Sequence, residues 1–115
     1  MLIADDFLSI MIEVRKYIDS CGRCPLDRWL CNLPNRIGQA RIRTRIDRLA
    51  LGLEGDWKSV GEGVRELRIP AGPGYRVYYA WDGPTLVLLL CGGDKSSQDR
   101  DIAAALAYWR DYRGQ

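Results

Sequence analysis

The chain has 115 residues, 47% hydrophobic and 28% charged, with 17 basic and 15 acidic side chains and a net charge of +2. That length suits one domain able to cover roughly two-thirds of its unfolded surface, and the composition excludes a disordered or fibrous protein. So small a net charge does not mark a nucleic-acid binder by itself, and no segment has the length of apolar chain that a membrane span needs.

Met1–Ile10 holds Asp5 and Asp6 and no basic residue, which argues against a secretory signal and for a cytoplasmic protein. With a second methionine at Met11, residues 1–10 read as an extension and residues 11–115 as the single domain. Ile12–Ile18 alternates apolar and charged residues and predicts a strand. Pro25 suits the first turn of a helix whose apolar face is Leu26, Trp29, Leu30 and Leu33, and Pro34 ends it. A second helix is predicted after Asn35 or Gly38, running to about Leu51. Its apolar row is Ile42, Ile46, Leu49 and Leu53; Arg41, Arg45 and Arg48 lie on another face, and Gly52 is the stop.

Three strands follow. Val64–Ile69 runs into Pro70-Ala71-Gly72-Pro73-Gly74, a loop. Tyr75–Trp81 ends at Asp82-Gly83-Pro84, a turn. Thr85–Cys91 is nearly all aliphatic, as a strand buried on both faces would be, and Gly92-Gly93 is expected to break it. Ser96 to Asp99 fits a capping pattern for a last helix with Ile102, Leu106 and Trp109 as its buried stripe and Ala105 and Tyr112 beside it. The order β-α-α-β-β-β-α predicts an α+β fold, a small antiparallel sheet with a helical hairpin and a C-terminal helix packed on it.

Cys21-Gly-Arg-Cys24 has a spacing that serves zinc or redox chemistry, but the chain has no histidine and only Cys31 and Cys91 remain as partners. The four thiols read as incidental in a reducing compartment, with metal and redox roles as the alternatives.

The chemistry concentrates in the hairpin around Pro70–Gly74. If that loop is symmetric, Ile69 opposes Tyr75 and Arg68 opposes Arg76. Alternation then puts Arg68, Arg76, Glu66 and Tyr78 on one face and Leu67, Ile69, Tyr75 and Val77 on the other. Like charges directly opposite destabilise a sheet, so an anion between the arginines is one reading, and the planar guanidinium fork suits phosphate. The other reading is a solvated face neutralised by Glu66 and nearby acids. The run Arg36, Arg41, Arg43, Arg45 and Arg48 reads as a solvated helix face or a face for an acidic partner. Tyr78 could stack on a base, and Lys95 after Gly92-Gly93-Asp94 could meet a phosphate, though a plain connection explains that loop equally well.

Three segments together are specific: Asp56–Ile69, Gly72–Tyr79 and Leu88–Ile102, supported upstream by Arg23–Leu30 and Ala40–Gly52. Over about residues 11–113 the chain resembles the RelE/ParE toxin superfamily, in particular its HigB-like branch of addiction-module killer proteins. The resemblance implies the toxin of a type II toxin–antitoxin system, a metal-independent endoribonuclease acting on mRNA, commonly on the ribosome. It implies a cognate antitoxin, a HigA-like DNA-binding protein, as partner, and no cofactor or metal. A ParE-like gyrase inhibitor or a non-catalytic antitoxin-binding relative is the alternative. Carried over by position, the strand arginine is Arg76, and the basic residues of its groove are Arg68, Lys58 and Lys95. Arg65, Glu66, Tyr78 and Gln98 are the accompanying substrate-binding candidates.

In a metal-free cleavage the RNA 2′-OH attacks the adjacent phosphate. Arg76 and Arg68 would stabilise the charge that develops there, and Lys58 or Lys95 would serve as base or acid. Tyr78 is a further candidate for proton transfer.

Overall fold

The computed structural model describes residues 11–114, so the expected extension Met1–Ile10 lies outside the described residues. The elements are β1 (Glu13–Lys16), α1 (Pro25–Cys31), α2 (Arg36–Leu49), β2 (Trp57–Gly61), β3 (Val64–Ile69), β4 (Tyr75–Asp82), β5 (Leu86–Asp94) and α3 (Gln98–Gly114). The α+β class and the helix placements follow the sequence reading, with one strand more. That strand, β2, is largely exposed and among the described residues pairs only with β3. The five strands form one sheet in the order β1-β5-β4-β3-β2. β2 to β5 are antiparallel neighbours, whereas β1 lies parallel to β5 with Glu13 beside Leu86. The sheet is therefore mixed at one edge.

The local chemistry explains most boundaries. Pro25 opens α1, but Cys24 before it makes no side-chain cap. Asn35 caps α2 by accepting from the backbone N–H groups of Ile37 and Gly38, so the helix starts at the earlier of the two expected points. The apolar row of α2 ends at Leu49; Leu53 lies past the helix and is exposed. The loop between β3 and β4 holds Gly74 at φ 82°, a conformation that suits glycine, and it sets Ile69 opposite Tyr75 as the symmetric loop predicts.

Gly92-Gly93 does not break the last strand; β5 runs through both to Asp94. The glycines are there for space. A Cβ on Gly92 would meet the Trp29 ring of α1, and one on Gly93 would meet the Asp101 carboxylate of α3. Asp94, rather than Ser96, then acts as cap. Its carboxylate accepts from the Ser96 N–H at 2.8 Å and starts a single 3₁₀ turn, Lys95–Ser97, that leads into α3.

Both faces of the sheet are covered. On one, Leu26, Leu30, Ile42 and Leu49 from the helical hairpin pack on Leu67, Ile69, Val77, Tyr79, Val87 and Leu89. On the other, Ala105 and Trp109 of α3 pack on Val64, Tyr78, Ala80, Leu88, Leu90 and Cys91. Among the described residues no helix is long and apolar enough to cross a membrane.

Candidate functional site

The register of the sheet places two polar rows on the α3 face. One runs Lys58, Glu66, Tyr78 and Cys91 across β2, β3, β4 and β5. The next runs Arg68, Arg76 and Gly93. Glu66, Tyr78 and Cys91 of the first row are buried, with Gln98 and Asp101 of α3 bonded to Glu66 and Cys91, and the second row lies toward the β3–β4 hairpin. Lys58 borders the arginines from the β2 side. Lys95 borders them from the other, because Gly74 of the hairpin lies against it. Both lysines are exposed.

Glu66 is fully buried. Its Oε2 accepts from the Tyr78 hydroxyl at 3.0 Å and from Gln98 Nε2, at the first residue of α3, at 2.9 Å. Its Oε1 lies 3.7 Å from Arg76 Nε, an ion pair too long for a hydrogen bond. The Arg76 side chain is 13% exposed. Arg68 is more open, and its Nη2 meets Asp56 at 3.2 Å while its backbone N–H donates to the Asp56 carbonyl. Among the described residues three buried side-chain atoms have no hydrogen-bond partner: Glu66 Oε1, Arg68 Nε and Arg76 Nη1. Two of these are guanidinium nitrogens from facing strands that are shielded from solvent; the exposed remainder of the two side chains, 40% for Arg68 and 13% for Arg76, is what can meet an anion.

The structure brings Arg76, Arg68, Glu66, Tyr78 and Gln98 together and sets Lys58 and Lys95 at the rim. It corrects three expected roles. Arg65 is not in this group. It points to the opposite face, where it pairs with Glu54 at 2.6 Å and lies over the Trp57 ring, as alternation with Glu66 requires. Tyr78 is fully buried and cannot stack on a base. Burial and then the Glu66 carboxylate hold its hydroxyl well above the usual tyrosine range, so it stays protonated as a donor and is no proton shuttle. Glu66, equally buried, presents no surface to a ligand and lies beside Arg76.

Sequence reasoning missed Asp56, the partner of Arg68, and Glu54, which accepts from Arg65, Tyr79 and Trp81 on the far face. Both sit in the turn before β2, and no periodicity points to them. Among the described residues all four cysteines are free. Cys24 packs at the helical-hairpin face and Cys91 in the α3 face, so the sheet separates them.

Residues 28–107 match the family described as Phage derived protein Gp49-like (DUF891). An uncharacterised protein of Haemophilus influenzae is 54% identical over 79 residues, which is 69% of this chain and 80% of that protein. A solved structure of a doubly substituted form of the E. coli toxin RelE in the free state superposes with a TM-score of 0.59. It covers 83% of this chain and 93% of that one at 11% identity, a likeness of fold.

Proposed function

The chain belongs to the family of phage-derived Gp49-like proteins, and from that premise we propose that it is the toxin of a type II toxin–antitoxin pair, a cytoplasmic endoribonuclease of the HigB-like kind that cuts mRNA without a metal. The observation that carries the reading is the cross-strand pair Arg68–Arg76. Each arginine keeps a guanidinium nitrogen without a hydrogen-bond partner, and each side chain keeps some exposed surface. The RelE-type fold supports it.

The chain's residues divide the work as follows. Arg76 and Arg68 bind the scissile phosphate through their planar forks and stabilise the charge that builds on it as the 2′-OH attacks. A phosphate there also offsets the repulsion between the two guanidinium groups. Lys58 and Lys95, exposed on either side, remove the 2′-OH proton and protonate the leaving 5′-oxygen. The phosphate–oxygen bond to the 5′-oxygen breaks as the bond to the 2′-oxygen forms, and no outside reactant is required. The ribosome presents the mRNA, and a HigA-like antitoxin silences the toxin.

The test is induced expression of the chain with and without its neighbouring antitoxin gene, followed by primer extension on cellular mRNA. Growth arrest with new mRNA 5′ ends, both relieved by the antitoxin, is the expected result. Arrest with intact mRNA would replace the ribonuclease with a gyrase-directed toxin. Unimpaired growth with folded protein present would remove the toxin reading.

A further inference from the structure

The two arginines are held by unlike acids. Arg68 has Asp56, an exposed carboxylate at the entrance to β2. Arg76 has Glu66, which has no exposed surface. Neutralising a cation needs no burial, and an exposed acid does it at little desolvation cost. A buried carboxylate must instead be fixed by donors, and Glu66 is. Two neutral donors from different elements, Tyr78 of β4 and Gln98 of α3, converge on its Oε2. With that oxygen pinned the carboxylate cannot swing, and Oε1 is committed to the side where Arg76 Nε lies.

We propose that Glu66 is a positioning residue for Arg76: latched by Tyr78 and Gln98, it fixes the guanidinium by its Nε edge and leaves the exposed part of the side chain for the phosphate of the RNA. The inference rests on the cleavage reading above, but its geometry has consequences that do not. Arginine carries a long flexible stem, and holding it in place before the substrate arrives removes an ordering cost from the reaction step. The carboxylate also opposes anion binding electrostatically, so its contribution falls on the rate and not on the affinity. That sign separates positioning from simple neutralisation. Gln98 extends the arrangement to α3, whose first residue holds the latch, so the seating of that helix governs the placement of Arg76.

The decisive variant is Glu66→Gln, which keeps an acceptor for Tyr78 and Gln98 but turns an amide toward Arg76. We expect kcat for cleavage of an mRNA on purified ribosomes to fall about 10- to 100-fold, the scale of a displaced catalytic group. KM should stay level or drop, because a negative charge has gone. In ¹H–¹⁵N spectra the Arg76 Nε–H signal, assigned by its loss in Arg76→Lys, should be sharp in the wild type and broadened in Glu66→Gln. Inorganic phosphate should shift that signal less in the variant. A folded Glu66→Gln protein with wild-type kcat and an unmoved Arg76 signal overturns the proposal. If the wild type cuts no RNA, the cleavage reading fails, and the Nε signal with its phosphate titration decides the positioning claim alone. If Glu66→Gln does not fold, Gln98→Leu replaces it. That variant removes one latch donor at the half-buried helix start, and a sharp, unshifted Arg76 signal in it overturns the proposal equally.

Discussion

Arg68 and Arg76 are direct cross-strand partners in β3 and β4, yet one is tied to the exposed Asp56 and the other to the buried Glu66. Two like charges in register are unfavourable in a sheet. Here each has an acid on its own side, and one guanidinium nitrogen of each is left without a hydrogen-bond partner.

Replacing either arginine by alanine should lower cleavage, but the two replacements should differ in their cost to stability. From sequence, Arg76 points away from the core and its loss leaves the fold nearly intact. The structure corrects this, because the side chain is largely buried and its removal strips Glu66 of its cation. Arg76→Ala should reduce cleavage about 10²–10³-fold, by analogy with an oxyanion donor. It should also cost roughly 1–3 kcal/mol of stability. Arg68→Ala should cost less than about 1 kcal/mol, since its pair with Asp56 is exposed. Primer extension and urea denaturation read the two effects separately.

Gly93→Ala should destabilise by roughly 1–3 kcal/mol, the cost of overpacking. Its Cβ would clash with Asp101 Oδ2 and fall 3.0 Å from Ser97 Oγ, so the first turn of α3 must move. Gly114→Ala, with nothing within 4 Å, is the control and should change stability by no more than about 0.5 kcal/mol. The comparison of denaturation midpoints checks it.

Stability should fall at acid pH through Glu54. Burial acts to raise its carboxyl, but the donors Tyr79, Arg65 and Trp81 outweigh it and hold the group below the ordinary 4.5. A carboxyl depressed in the folded state binds fewer protons there than in the unfolded chain. Its contribution is therefore present above the unfolded value and lost as pH drops through the folded one. Glu54→Gln should flatten this part of the acid limb. Urea midpoints taken from about pH 7 to about pH 3, spanning the glutamate range, measure it.

The cysteines should divide by burial. The Cys91 thiol is pushed up to about 12, by burial first and then by the Asp101 carboxylate, and it should resist iodoacetamide in the native protein. Cys21 and Cys31 are exposed and should be alkylated. Intact mass after labelling counts the modified thiols, and elemental analysis of chelator-free protein should find no stoichiometric zinc.

Much of this fold was legible because short loops fix register. Five loop residues between Ile69 and Tyr75 suffice to set Arg68 against Arg76. β2 was not legible. Trp57–Gly61 has little apolar alternation and is a strand because β3 offers it an edge. The site was half readable. Alternation puts Glu66 beside Arg76, but it says nothing of how deep Glu66 lies, since that depends on where α3 lands. The same alternation argues against Arg65 as a groove residue. The carbon-free faces of Gly92 and Gly93 resemble a strand break until Trp29 and Asp101 are seen to occupy them.

The parallel pairing of β1 with β5 has a consequence for synthesis. The earliest strand of the described chain finds its place only beside the latest, and the helix that latches Glu66 comes later still. A contact of such long sequence range forms slowly and cannot form at all on a half-made polypeptide. Under the proposed function, the emerging toxin is thus harmless to the ribosome that makes it until translation has passed Gln98.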